Sequence, residues 1–249
     1  MKIRNLAHRG FSGKYPENTR LAFVKAIEEA GADGFESDVH LSADGEPVVI
    51  HDHDLSRTTN GSGSVGGVKF AELRLLDNGV WKGKEFAGQR ILHLDELLEI
   101  VAEYKAFLNL EIKTGEIFYK DIEKICIKRI NALGLGKQVL ISSFNHISVQ
   151  RCMEIDPSIR TGFLYESPLI NMVRYGKQHG ASALHPRLCC LYYSPDLADK
   201  AHAEGLEINT WTVNTEDDMR YCIRLGVDSI ISNYPDKTSA LLKNQTTEG

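Results

Sequence analysis

Two short stretches of this sequence alternate like β-strands, yet each carries charge on one of its two faces. The stretches are residues 34–41 (Gly-Phe-Glu-Ser-Asp-Val-His-Leu) and 107–113 (Phe-Leu-Asn-Leu-Glu-Ile-Lys). Successive side chains of a strand point to opposite sides, so the polar members of each stretch share a face. These members are Glu36, Asp38 and His40 in the first stretch and Asn109, Glu111 and Lys113 in the second. Since a buried strand is normally apolar, the two stretches indicate a functional site within a sheet.

The carboxylates of these strands are suited to binding a metal ion. Residues two apart in a strand lie about 6.6 Å from each other, so Glu36 and Asp38 can share one ion with Glu111. Burying three acids together is costly unless a cation neutralises them. Oxygen ligands without a cysteine partner favour a hard ion over zinc. The sequence therefore predicts one divalent cation, Ca²⁺ or Mg²⁺; the alternative is an ion-pair network with Arg9 and Lys113.

Length and composition set limits on the class of protein. The chain has 249 residues, close to the roughly 250 of a TIM barrel, although two small domains would also fit. A net charge of −5 argues against a nucleic-acid partner. No stretch approaches the ~20 apolar residues of a membrane span, so no integral membrane segment is expected. Five cysteines without a Cys-x-x-Cys spacing indicate reduced thiols. We expect a soluble, cytoplasmic protein, with homo-oligomerisation left open.

Strand and helix patterns alternate along most of the chain, which predicts parallel strands joined by crossover helices. Nine strands are expected, at residues 3–8, 34–41, 47–51, 107–112, 139–143, 160–164, 183–185, 207–213 and 229–232. Residues 42–46, with an Asp-Gly pair, are too short for a parallel crossover but suit a hairpin. The third strand then runs antiparallel, and eight parallel strands remain. The sequence therefore predicts an α/β fold of the TIM (β/α)8 type, with His51 returned to the level of Glu36 and Asp38.

Residues 52–93 interrupt this alternation. The segment is rich in glycine and has weak periodicity, and such long irregular segments are uncommon unless they are functional or disordered. It also contains apolar residues that can pack, among them Leu73, Trp81 and Phe86. We interpret it as a small insertion lobe over the C-terminal mouth of a single barrel domain, residues 1–249.

Reactive residues collect at the predicted carboxyl ends of the strands, where barrel active sites lie. His8 and Arg9 end the first strand, His51 ends the antiparallel strand, and Lys113 follows Glu111. His8 and His51 could supply a general acid and a general base, each contributing roughly 10²–10⁴-fold. Charge stabilisation by the cation, Lys113 and Arg9 would then carry much of the remaining catalysis.

Four further residues have more than one interpretation. Asn18 could cap the first helix or reach the site, and Trp211 could pack in the core or form an aromatic wall for the substrate. His40 lies on the carboxylate face and could orient a ligand without binding the ion itself. The role of His185, at another strand end, is left open.

A set of short motifs resembles the glycerophosphodiester phosphodiesterase family over about residues 6–236. The motifs are residues 7–10 (Ala-His-Arg-Gly), 16–19 (Pro-Glu-Asn-Thr), 22–23 (Ala-Phe), 31–33 (Gly-Ala-Asp), 36–38 (Glu-Ser-Asp), 44–45 (Asp-Gly), 48–52 (Val-Val-Ile-His-Asp), 110–113 (Leu-Glu-Ile-Lys) and 210–214 (Thr-Trp-Thr-Val-Asn). The Gly-rich insertion also resembles that of the family.

The resemblance implies a metal-dependent TIM barrel that cleaves small-molecule glycerophosphodiesters to sn-glycerol 3-phosphate and an alcohol. It implies roles for seven residues: metal ligands Glu36, Asp38 and Glu111, acid/base histidines His8 and His51, and phosphate-binding cations Arg9 and Lys113. Asn18 and Trp211 are added as candidate substrate-binding residues. In the mechanism often drawn for the family, a glycerol hydroxyl attacks phosphorus and water then opens the cyclic phosphate.

Three rival functions fit parts of the pattern. A lysophospholipase D on the same scaffold would need an apolar channel for an acyl chain. A non-catalytic ligand-binding barrel would be expected to have a broken acid/base pair, whereas both histidines are present here. A metal-dependent sugar isomerase would show no dependence on phosphate. The sequence leaves open the head group, the native metal and which histidine is the acid.

Overall fold

A closed ring of eight parallel strands forms the centre of the computed structural model, which describes residues 2–247. In ring order the strands are β1 (Arg4–His8), β2 (Gly34–Leu41), β5 (Phe107–Ile112), β6 (Val139–Ser143), β7 (Arg160–Tyr165), β8 (Ala183–Pro186), β9 (Glu207–Thr210) and β10 (Ser229–Ser232), and β10 pairs with β1. The ring with its crossover helices is a TIM barrel, so the predicted fold class is confirmed. Every ring strand begins and ends within a few residues of its predicted bounds.

Two short strands extend the sheet beyond the ring. β3 (Pro47–Val49) pairs antiparallel with the end of β2, and β4 (Leu92–His93) pairs antiparallel with β3. The amide of Ile50 donates to the carbonyl of Asp38 at 3.3 Å. The predicted hairpin is therefore present, and it returns the next residue, His51, to the charged face of β2. The sequence analysis did not predict β4.

Helices surround the ring and bury one face each against it. They are α1 (Arg20–Glu28), α3 (Leu94–Tyr104), α4 (Ile122–Ala132), α5 (His146–Ile155), α6 (Met172–Gln178), α7 (Leu188–Tyr193), α8 (Leu197–Ala203), α9 (Glu216–Arg224) and α10 (Pro235–Thr247), while the short α2 (Phe70–Leu73) lies in the insertion. The Thr19 hydroxyl caps α1 by accepting from the amide of Ala22 at 3.2 Å. Gly31, with φ of +64°, allows the chain to leave that helix.

The barrel interior is polar below the level of the site. His185 is fully buried and its Nε2 lies 3.0 Å from Asn209 Nδ2. Gly162 makes room for this ring, because a Cβ at that position would lie 2.3 Å from His185 Nε2. The structure thus places His185, whose role was open, in the interior packing of the barrel.

The insertion has its own small core and contacts the loop after β1. Its buried apolar residues are Leu55, Val65, Leu73 and Ile91, which pack with Val48 and Ile50 at the end of the hairpin. Lys82 donates to the carbonyl of Ser12 at 2.8 Å, and the rings of Tyr15 and Phe86 meet edge to face. The division into one domain with an insertion lobe stays a prediction.

Two composition-based expectations can be compared with the structure. Within residues 2–247, no helix has both the length and the apolar character needed to cross a bilayer. All five cysteines are free thiols, and four of them are buried.

Candidate active site

Three buried carboxylates lie together where β2 and β5 run side by side. Asp38 and Glu111 are direct neighbours in the parallel register of the two strands. Glu36, Asp38 and Glu111 each offer an oxygen, and these oxygens lie within 4.8 Å of one another. At most 8% of any of the three residues is exposed. The strands thus bring together the three residues that the sequence predicted as metal ligands.

The electrostatics of the three acids fit a bound cation. Burial, together with the nearby Asp38 carboxylate, raises the pKa of Glu36 well above its usual value. Burial also raises the pKa of Glu111 to about 7. The pKa of Asp38 is lowered, because His51, Lys113 and Arg9 outweigh the effect of burial. Among the described residues, Asp38 Oδ1 has no hydrogen-bond partner. A divalent ion would satisfy this oxygen and offset both the burial of these acids and the repulsion between them.

Two basic side chains approach the same carboxylates. Lys113 Nζ lies 2.8 Å from Glu111 Oε1 and 3.6 Å from Asp38 Oδ1. Arg9 Nε lies 3.5 Å from Asp38 Oδ2. The ion-pair network that was the alternative interpretation is therefore present. The two positive side chains lie beside the three carboxylates, where they are suited to holding phosphoryl oxygens next to a metal ion.

His8 presents a neutral imidazole to the acids. Its Nδ1 lies 2.6 Å from Asn233 Oδ1, which can only accept, so Nδ1 carries the proton. The other nitrogen, Nε2, lies 3.9 Å from Glu36 Oε2. Burial and the charge of Arg9 lower the pKa of His8 to about 3. At neutral pH, Nε2 therefore offers a lone pair.

His51 is held from two sides. Its Nδ1 donates to Asp52 Oδ1 at 2.5 Å, and its Nε2 lies 3.2 Å from Lys113 Nζ. Burial lowers the pKa of His51, and Asp52 opposes that shift. The ring of His40 donates from Nε2 to the His51 carbonyl and accepts at Nδ1 from Tyr119, both at 2.9 Å. His40 thus supports the backbone of His51.

Asn18 and Trp211 both lie at the site. Asn18 donates to Asp38 Oδ2 at 3.0 Å and accepts from the Ser37 hydroxyl at 2.9 Å. Asn18 therefore contacts a candidate ligand, while Thr19 caps the helix. The indole of Trp211 donates to the His185 carbonyl at 2.9 Å and meets Phe144 edge to face.

Two cavities open between these residues. A small cavity of about 50 Å³ is lined by both histidines, Arg9, Glu36, Glu111 and Lys113. A larger cavity of about 680 Å³ is lined by His51, Glu111, Lys113, Phe144 and Trp211, among others. The histidines, cations and acids thus face one small space, with a larger space beside it for the rest of a substrate.

Four residues that contact this site had no role in the sequence analysis. They are Glu17, Asp52, Arg57 and Asn233, which hold Arg9, His51 or His8 directly or through one another. Glu17 and Asp52 lie inside motifs quoted above, next to predicted residues, which is a signal that could have identified them. Asn233 follows the last strand. Arg57 lies in the irregular insertion, where periodicity gives no indication.

A TIM barrel whose acids, histidines and cations converge at the carboxyl ends of its strands has the arrangement of an enzyme of that fold. The chain belongs to the glycerophosphoryl diester phosphodiesterase family, whose model matches residues 8–237. The predicted family, and with it the prediction of a phosphodiesterase, is confirmed.

Individual relatives agree with this membership. A glycerophosphodiester phosphodiesterase from Caldanaerobacter subterraneus subsp. tengcongensis is 39% identical, over 98% of this chain and 99% of that protein. The crystal structure of a glycerophosphodiester phosphodiesterase from Agrobacterium tumefaciens is 30% identical with a TM-score of 0.83, covering 96% of this chain and 99% of the other. An Oleispira antarctica phosphodiesterase, solved in complex with the product sn-glycerol-3-phosphate, is 30% identical with a TM-score of 0.84, covering 96% of each chain.

Proposed function

We propose that this protein hydrolyses glycerophosphodiesters to sn-glycerol 3-phosphate and an alcohol, with a divalent cation and two histidines. The observation that carries the proposal is the small cavity lined by His8, His51, Glu36 and Glu111, because it brings proton carriers and metal-ligand oxygens to one space. The product found in the Oleispira antarctica relative supports the same substrate class.

Glu36, Asp38 and Glu111 would hold the cation, and their all-oxygen set suits Ca²⁺ or Mg²⁺. A divalent ion bound there supplies positive charge that stabilises phosphoryl oxygens as negative charge develops on them. Lys113 and Arg9 add two fixed charges next to the same carboxylates. Their role is to bind and orient the phosphodiester so that one phosphorus–oxygen bond faces the histidines.

The two histidines have different partners, and this suggests different roles. His8 pairs with the neutral Asn233 side chain, whereas His51 pairs with the carboxylate of Asp52, which favours an imidazolium. We assign His8 as the base that accepts, at Nε2, the proton of the glycerol hydroxyl whose oxygen bonds to phosphorus. We assign His51, once protonated at Nε2, as the acid that gives a proton to the alcohol as its bond to phosphorus breaks. Water then opens the cyclic phosphate with the roles reversed: His51 takes the proton of the water, and His8 returns a proton to the glycerol oxygen.

A second substrate class is favoured by one feature of the mouth. Large apolar side chains are exposed in the segments that follow three neighbouring strands, namely Phe118, Phe144, Ile147, Leu169 and Ile170. Such a surface beside the cavity could take the acyl chain of a lysophospholipid. Comparing rates on lysophosphatidylcholine and glycerophosphocholine separates the two substrate classes.

The test is a panel of phosphodiesters run on chelator-stripped protein, with and without added Ca²⁺, Mg²⁺ or Mn²⁺. We expect release of sn-glycerol 3-phosphate only after a divalent ion is restored. Full activity in the stripped protein would overturn the metal requirement. Turnover that needs no phosphodiester, such as sugar isomerisation, would overturn the reaction class.

A further inference from the structure

We propose that Arg57, supplied by the insertion, is a positioning residue that fixes Arg9 and His51 at the same time. Its guanidinium lies between two carboxylates, Glu17 and Asp52, and each of these holds one of the two residues. The inference rests on the proposed function, because it assigns Arg57 to that same site.

Arg57 makes four hydrogen bonds with this pair of acids. Nη1 and Nη2 donate to the two oxygens of Glu17 at 3.0 and 2.7 Å. Nε and Nη2 donate to the two oxygens of Asp52 at 2.5 and 3.2 Å. Only a planar guanidinium offers donors that can grip two carboxylates in this way, whereas an ammonium acts as a point charge. The arrangement is thus specific for arginine.

The Glu17 side of this contact fixes Arg9. Glu17 is 9% exposed, and its Oε1 accepts from Arg9 Nη1 at 2.9 Å. Arg9 is thereby held between Glu17 and Asp38, whose Oδ2 lies 3.5 Å from Arg9 Nε. Without Arg57, the Glu17 carboxylate loses two of its three donors, and Arg9 loses the support that aims it at the phosphate position.

The Asp52 side of this contact fixes His51. Asp52 accepts from His51 Nδ1, which leaves Nε2 facing Lys113 and the small cavity. The side chain of Asp52 is 28% exposed, so without Arg57 it can rotate toward water. The Nδ1 proton of His51 would then lose its acceptor, and the ring could change its tautomer or turn.

Arg74 offers a matched control within the same insertion. It also forms an ion pair, 2.5 Å from Glu96, and hydrogen-bonds the carbonyl of Ile91, so it links the insertion to α3. Its side chain is 34% exposed, compared with 42% for Arg57. Within residues 2–247, its side chain contacts Glu96, the Ile91 carbonyl and the ring of Phe70, none of which belongs to the candidate site. If Arg57 merely anchored the insertion, replacing either arginine would have the same effect.

The experiment compares Arg57→Ala, Arg57→Lys and Arg74→Ala in the full chain with Ca²⁺ or Mg²⁺, using glycerophosphocholine. We expect Arg57→Ala to lower kcat/KM about 10–100-fold, through both a higher KM and a lower kcat. Arg57→Lys should restore little, and Arg74→Ala should match the wild type. Glu17→Gln should act mainly on KM through Arg9, and Asp52→Asn mainly on kcat through His51.

A second measurement does not depend on turnover. The ¹⁵N shifts of the His51 ring report which nitrogen carries the proton, and we expect Nδ1–H in wild type and Arg74→Ala but a mixture in Arg57→Ala. If Arg57→Ala fails to fold, Arg57→Lys and Asp52→Asn carry the same test. Kinetics and tautomer both equal to those of Arg74→Ala would overturn the positioning role. If the wild type hydrolyses no phosphodiester, yet Arg57→Ala still shows the tautomer change, the proposed function is overturned and the positioning role is supported.

Discussion

The two halves of the barrel mouth differ in chemistry. The half formed after β1, β2 and β5, together with the start of the insertion, holds a continuous chain of charges from Arg9 through Glu17, Arg57 and Asp52 to His51. The half formed after β6 and β7 exposes apolar side chains, with Ile170 90% exposed. The groups that we propose act on the phosphate are held by ion pairs, whereas apolar contacts on the other side do not fix a particular orientation. We infer that the first half does the chemistry and the second meets the alcohol.

Removing a histidine from the charged half should have the largest effect. We expect His8→Ala and His51→Ala each to lower kcat about 10²–10⁴-fold, because each deletes one proton transfer. Steady-state kinetics on glycerophosphocholine provide the measurement. His179→Ala is the control, since that ring is exposed at the end of α6. Near-wild-type rates for both site variants would show that the two histidines of the charged half do not take part in the reaction.

The second-largest expected effect is the stabilisation of the protein by a bound metal ion, which can be measured without turnover. A ligand that binds only the folded state at about 100 times its Kd stabilises by about 2.7 kcal/mol, which raises Tm by about 5–10 °C in a chain of this size. We expect this rise on adding Ca²⁺ or Mg²⁺ to stripped wild type, and none for Glu111→Gln. A rise of equal size in the variant would show that the ion binds elsewhere.

The apolar half can be tested with a single surface change. Ile170→Ser should weaken lysophosphatidylcholine turnover about tenfold, by the 1–3 kcal/mol typical of lost apolar contact, while glycerophosphocholine turnover stays unchanged. Leu133→Ser is the matched control, because Leu133 is also exposed but lies at the end of α4. Equal effects on both substrates, or none on either, would mean that this wall does not select the alcohol.

The smallest effect concerns the interior beneath both halves. Burial lowers the pKa of His185 to about 3, from an unfolded value near 6.5. The unfolded state therefore binds more protons between these values, so stability contributed by neutral His185 is present above pH 6.5 and is lost as pH falls. This effect changes the free energy of unfolding by at most about 1.4 kcal/mol per pH unit. Urea unfolding at pH 7.5 and 5.5 should show a smaller pH dependence for His185→Gln than for wild type; an unchanged dependence would contradict this.

Sequence patterns predicted most of the barrel, because alternation and Asp-Gly turns are local signals. Residues 42–46 alone were enough to place β3 antiparallel and to return His51 to the site. By contrast, β4 has only two residues, and α7 is too short for a helical stripe to be recognised. These elements depend on pairing and packing partners from elsewhere in the chain.

The candidate site was predictable where its residues lie on strands. Glu36, Asp38 and Glu111 share inward faces that follow from a period of two, and the structure brings them together. Arg57 was not predictable, because its partner Glu17 lies 40 residues away and neither residue belongs to a periodic element. Contacts between irregular segments leave no spacing to recognise, although here they connect the predicted residues.

The pairing of β3 with β4 has a consequence for redesign of the protein. Val48 faces His93 and Val49 faces Leu92, so the chain leaves the sheet and re-enters it at the same point. The segment between them, residues 50–91, could therefore be exchanged as a unit. Its two ends pair with each other, and no strand of the closed ring lies within it. A graft from another barrel could replace it without reopening the ring. That segment includes His51 and Asp52 as well as Arg57. To keep the enzyme working, the transplanted segment would therefore have to bring a histidine, an acid and an arginine to these three positions.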